Sequence, residues 1–162
     1  MSFLKPVFEY PTSHKIFTDG STSEDGVAAA AVCSQKYKKP DTFRLPNDSW
    51  MFTAQLGAIL LVLRHNYYSQ ETSFLILSDS LSSLQAVHDM KYDHPILKQK
   101  IHELHSDLLQ DEKEIVFVWV PSHVGTRENS AADTAAEDAL DGDISDEFAP
   151  FSDLKPRMNQ YI

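Results

Sequence analysis

The stretch Phe74-Leu75-Ile76-Leu77-Ser78-Asp79-Ser80-Leu81-Ser82-Ser83-Leu84-Gln85-Ala86-Val87 decides the fold. Its first four residues are a continuous apolar strand, and Leu81, Leu84 and Val87 then fall at helical spacing. A strand that passes through one carboxylate directly into a helix is the basic unit of an α/β domain. Upstream, His14 to Thr18 reads as a short strand that stops at the turn dipeptide Asp19-Gly20. Val27 to Ser34 and Asp41 to Leu45 supply two more strands. Ser49 is placed as the N-cap of a helix from Trp50 to His65, apolar nearly all round and therefore buried. Downstream, His94-Pro95 starts a helix with Leu97, Ile101, Leu104 and Leu108 on its apolar face. Glu114 to Val120 is a β-branched and aromatic strand ended by Pro121, and Ala131 to Leu140 is an alanine-rich helix. The order β-β-β-α-β-α-α-β-α joins an antiparallel meander to later crossovers. It predicts an α/β fold with a five-stranded mixed sheet and helices on both faces.

The 162 residues suit one domain, with 42% hydrophobic and 23% charged residues. We divide the chain into an N-terminal linker over 1–14, a folded domain over 15–141, and an acidic, then linker-like segment over 142–162. The last of these reads as the start of a connection to something longer. The single cysteine, Cys33, excludes an internal disulfide and a multi-cysteine zinc site, and fits a reducing compartment. Met51 to Leu63 is interrupted by Thr53 and Gln55 and is too short to span a bilayer. Met1 to Tyr10 lacks a signal-peptide core. The expectation is a soluble intracellular domain, nuclear and cytoplasmic, with no membrane partner.

Net charge is −10 and unevenly spread. From Glu128 to Asp153 there are nine acidic residues and no basic one. The chain therefore lacks the basic footprint of an autonomous nucleic-acid binder. The acidic stretch reads first as a solvated surface. Its sharper reading is that one of its carboxylates joins a metal site.

Three aspartates share a context. Asp19 and Asp79 each end a strand, and Asp133 sits in the first turns of the last helix. Taken singly, Asp19 and Asp79 are ordinary turn and cap residues. Together, carboxylates at the carboxyl ends of adjacent strands point into the crevice where open α/β sheets place their sites. Such a cluster repels itself unless a cation intervenes, and hard oxygen ligands suit Mg²⁺ or Mn²⁺.

With their neighbours these residues match a family. Thr18-Asp19-Gly20-Ser21, Ser78-Asp79-Ser80, and Trp119-Val120-Pro121-Ser122-His123-Val124-Gly125 followed by Asn129 and Ala132-Asp133 resemble ribonuclease H of type 1. More narrowly, the chain is similar to the ribonuclease H domain of reverse transcriptases from LINE-type (non-LTR) retrotransposons. Phe52-Thr53-Ala54, His94-Pro95-Ile96-Leu97 and Ser152-Asp153-Leu154-Lys155-Pro156 carry that narrower likeness. The resemblance implies a nuclease, an endonucleolytic hydrolase that cuts the RNA strand of RNA/DNA hybrids. It implies two Mg²⁺ ions, replaceable by Mn²⁺, and a covalently linked reverse transcriptase domain in a parent polyprotein. The isolated domain is expected to be a monomer.

The family's catalytic set is Asp, Glu, Asp, Asp. The aspartates map onto Asp19, Asp79 and Asp133, while the glutamate position maps onto Gln55. Gln55 keeps a carbonyl oxygen but loses the charge, and its NH₂ cannot ligate. Two ions about 4 Å apart act as a clamp, and a displacement near 1 Å costs on the order of a hundredfold. Hydrolysis is therefore expected to be absent or strongly reduced. Gln55 is either a replacement introduced to hold substrate or metal without cleavage, or a natural loss in a repurposed element. His123 corresponds to a mobile histidine that assists proton transfer or product release. Thr22, Ser23, Ser80, Arg127 and Asn129 are the expected substrate contacts, through hydroxyls, a guanidinium and an amide. Ser130 stands where a glutamate is common. Lys36, Lys38, Lys39 and Arg44 form the one basic cluster, read as an edge-strand solubility device. With only a short connector between Val87 and His94 and no basic protrusion there, the domain is expected to bind hybrids weakly until tethered. A catalytically inactive hybrid-binding or scaffolding domain is the second reading. A more distant nuclease or transposase on the same fold is the third.

Overall fold

In the computed structural model, which describes residues 9–89, 95–122 and 126–145, nine elements follow the expected order. They are β1 (His14–Thr22), β2 (Ala28–Cys33), β3 (Asp41–Arg44), α1 (Met51–Tyr68), β4 (Ser73–Ser78), α2 (Leu81–His88), α3 (Pro95–Gln110), β5 (Glu114–Trp119) and α4 (Arg127–Ala139). The strands form one sheet in the order β3-β2-β1-β4-β5. The hairpin pairs β1–β2 and β2–β3 are antiparallel, and β1–β4 and β4–β5 are parallel. Parallel pairing requires crossovers, supplied by α1 between β3 and β4 and by α2 and α3 between β4 and β5.

The inner strands are apolar at successive positions because both faces of the sheet are covered. Ile16, Phe74, Ile76, Ile115 and Phe117 join one core with Ala54, Ile59 and Leu63 of α1 and Leu97 and Ile101 of α3. Their neighbours Phe17, Leu75, Leu77, Val116 and Val118 join a second core with Ala132 of α4. The period-two alternation along each strand thus assigns every side chain to the α1 face or the α4 face. Every residue of β2 is buried, and its run of alanines leaves room for α1 and α4 to approach from opposite sides. Among the described residues no helix is long and apolar enough to cross a membrane.

Local boundaries differ from the sequence reading in three informative places. First, β1 does not stop at Asp19-Gly20; it continues to Thr22, with Asp19 paired to Ala31 and Gly20 to Ala30. Gly20 serves a close approach rather than a turn. A Cβ there would stand 2.9 Å from Gln55 Cγ and 3.3 Å from Met51 Sδ. Second, Ser49 is not the N-cap of α1: Trp50 holds that position without a side-chain cap bond, and Ser49 Oγ donates to Pro46 O at 2.7 Å. Third, α4 begins at Arg127, where Thr126 Oγ1 accepts from Asn129 N. Arg127 and Asn129 are therefore first-turn helix residues rather than loop residues. His94 and the 90–94 connector lie outside the described residues.

Candidate functional site

The register of β1 on β4 sets the first two carboxylates side by side. Thr18 pairs with Ser78, and the next residues along the two strands are Asp19 and Asp79. By alternation from Phe17, Asp19 faces α4, which carries Asp133 in its second turn. Asp79 and Asp133 both act on Asp19. Asp19 is 8% exposed, and its carboxyl is pushed up to about 7. Burial is the largest cause, followed by the charge of Asp79. The amide of Gly20, which donates to Asp19 Oδ1 at 2.7 Å, opposes the rise. The charge of Asp133 and a hydrogen bond shared with its carboxyl group add to it. Near neutral pH, Asp19 is thus poised to hold a proton between two carboxylates.

Asp79 lies just beyond β4 and is fixed from the neighbouring strand. Trp119 Nε1 donates to its carbonyl oxygen at 3.1 Å, and Ser122 Oγ donates to its Oδ2 at 3.0 Å. Neither Trp119 nor Ser122 was singled out from the sequence, although both lie inside the motif around His123. Ser80 follows Asp79 and caps α2, accepting from Ser83 N at 3.3 Å.

Gln55 occupies the other side of this region. It projects from α1 against Gly20, and its Oε1 accepts from Ser83 Oγ at 3.2 Å. Ser83 is fully buried and also shares a 2.7 Å hydrogen bond with Ser80 Oγ. Position 55 is therefore tied to the start of α2. In the sequence Ser83 is only one small residue among others in a helix.

The expected substrate contacts separate into groups. Ser80 has its hydroxyl committed to the α2 cap, which disfavours the phosphate contact expected of it. Thr22 is exposed at the end of β1, and Ser23 belongs to the β1–β2 hairpin, where its Oγ accepts from Val27 N at 3.2 Å. Asn129 is buried, while Arg127 is exposed and lines a cavity with Lys39 and Thr42 on the β3 side of α4. Glu128, next to Arg127, accepts from Gln35 Nε2 at 2.9 Å. In the basic cluster, Lys36 pairs with Glu71, and Arg44 donates to Gly142 O and Asn47 Oδ1. Arg44 sits on β3, where residue 144 also bridges it. His123 lies outside the described residues.

Among the described residues, no three His, Cys, Asp or Glu side chains stand together as a ready-made metal cage. The aspartates nevertheless lie near enough for Asp79 and Asp133 both to act on Asp19, after burial, which is the largest cause of its rise. Carboxylate oxygens are the hard donors that Mg²⁺ or Mn²⁺ takes. A cavity of about 560 Å³ between β1, β4 and the start of α4, floored by Phe17 and Leu77, includes none of these carboxylates. The RNase H family model matches residues 11–141. No curated protein matches the chain.

Proposed function

The chain belongs to the RNase H family, whose activity is hydrolysis of the RNA strand of RNA/DNA hybrids, and from that premise we propose a specific reading of its site. Asp19, Asp79 and Asp133 hold divalent cations, Mg²⁺ or Mn²⁺, with Gln55 at the altered fourth position. Bound there, such cations would supply Lewis-acid stabilisation of the charge that develops when a phosphodiester is hydrolysed. The observation that carries the reading is the β1–β4 register, which puts Asp19 and Asp79 next to each other on adjacent strands with Asp19 facing α4, the helix that carries Asp133.

Each side chain has a distinct task in this account. Burial and the neighbouring acids raise the Asp19 carboxyl, and a cation bound there would favour its ionised form. Asp79 is held ready by Ser122 and Trp119. Gln55 offers one neutral oxygen, already engaged by Ser83, where a carboxylate would offer charge and a second acceptor. The site is therefore short of one negative charge, and cleavage by this chain is absent or strongly reduced. His123 takes the proton-transfer role that its motif implies. The substrate is a hybrid made during retrotransposon reverse transcription, presented by a linked polymerase domain. Tethering supplies the effective concentration that a chain of net charge −10 does not achieve through electrostatics.

A non-catalytic hybrid-binding role is the second reading, favoured by the same glutamine. The discriminating experiment is Gln55→Glu assayed on a 5′-labelled RNA/DNA hybrid with Mg²⁺ or Mn²⁺. We expect cuts in the RNA strand alone, leaving 3′-hydroxyl and 5′-phosphate ends, at a rate about 100-fold or more above the parent. No gain in cleavage counts against the nuclease assignment of position 55 and favours the binding role.

A further inference from the structure

Asp79 is gripped at two atoms by the end of the adjacent strand. Val120 N donates to Ser78 O at 2.9 Å, so the β4–β5 ladder continues to the residue before Asp79. Trp119 Nε1 then takes the Asp79 carbonyl, and Ser122 Oγ takes Oδ2. Pro121 stands between them and restricts the backbone that delivers Ser122. Ser122 is exposed, so its bond to Asp79 is not a by-product of core packing.

We propose that Ser122 is a positioning residue: its hydroxyl fixes the Asp79 carboxylate in one rotamer, satisfying Oδ2 and leaving Oδ1 for a divalent cation, while Trp119 fixes the main chain beneath it. The inference rests on reading the three aspartates as a cation site. A neutral O–H donor suits the task, since it orients a carboxylate without cancelling the charge that attracts the cation. Without Ser122 the Asp79 side chain has to be ordered when the cation binds, and affinity falls accordingly.

The test is Mn²⁺ affinity of the whole chain by titration calorimetry, with metal-free melting measured alongside. Loss of a hydrogen-bond partner behind a metal ligand typically costs about 10- to 100-fold in metal affinity. We expect Ser122→Ala to weaken Mn²⁺ about 10-fold, and Ser122→Thr, which keeps the hydroxyl, to restore most of it. The metal-free melting midpoint should stay within about 2 °C of the parent, as for an exposed substitution that removes no packing. Trp119→Phe keeps the ring bulk and loses the donor, and should also weaken Mn²⁺. Ser122→Ala binding Mn²⁺ as tightly as the parent overturns the proposal. Asp79→Asn serves as the reference: if it too binds like the parent, the cation reading of the aspartates fails and takes this inference with it. If Asp79→Asn loses Mn²⁺ while Ser122→Ala does not, only the role of Ser122 is lost.

Discussion

Ser83 Oγ donates to Gln55 Oε1 at 3.2 Å, joining the first turn of α2 to the face of α1 that lies on Gly20. The serine is itself held by Ser80, the cap residue that follows Asp79. Short hydroxyl contacts therefore connect the fourth site position to the second, without a charged group in the path.

Ser83→Ala removes a fully buried hydroxyl and leaves Gln55 Oε1 without that donor. The net loss should be about 1 kcal/mol, lowering the melting midpoint by roughly 2–4 °C in a domain of this size. In the Gln55→Glu background the same change should also reduce hybrid cleavage. Thermal denaturation and the hybrid assay check the two parts separately.

Gly20→Ala places a methyl group 2.9 Å from Gln55 Cγ and 3.3 Å from Met51 Sδ. Overpacking of this kind costs about 1–3 kcal/mol. The midpoint should fall, and adding Gln55→Ala should recover part of the loss by vacating the contested space. A double-mutant cycle of melting midpoints measures the coupling.

Asp19 gives the chain a predictable pH dependence. Between its ordinary value of 3.8 and about 7, the folded chain keeps a proton that the unfolded chain has released. Stability therefore falls as pH rises through that interval, and the full cost is present above it. Asp19→Asn should raise the cation-free melting midpoint at pH 8 and change it little at pH 4. A gain of the same size at both values would contradict the assignment.

Divalent cations should reverse that cost. At pH 8, Mn²⁺ at about 100 times its dissociation constant should stabilise the parent by roughly 2.7 kcal/mol. Asp133→Asn should lose most of that shift, because Asp133 shares both charge and a hydrogen bond with Asp19. Differential scanning calorimetry with and without the ion measures it.

Strand and helix types were legible because the signals were strong and local. The Phe74 to Leu77 run, the helical spacing after Asp79 and the alanine-rich last helix each have one comfortable solution in a two-faced sheet. The three aspartates stood out in the sequence only through their motifs, and the β1–β4 register puts two of them side by side. The reading erred at Gly20 because a glycine needed for helix approach and one needed for a turn look alike in one dimension. Ser49 misled for a similar reason: a good capping side chain found a closer carbonyl at Pro46. Ser83, Trp119 and Ser122 went unread because their partners are set by register and crossover geometry, which no local pattern encodes.

The most direct measurement is anomalous diffraction from crystals soaked in Mn²⁺ at pH 8. The account predicts manganese density in contact with carboxylate oxygens of Asp19 and of at least one of Asp79 and Asp133. Saturating Mn²⁺ that leaves no density at these aspartates, or that binds only elsewhere on the acidic surface, would contradict it.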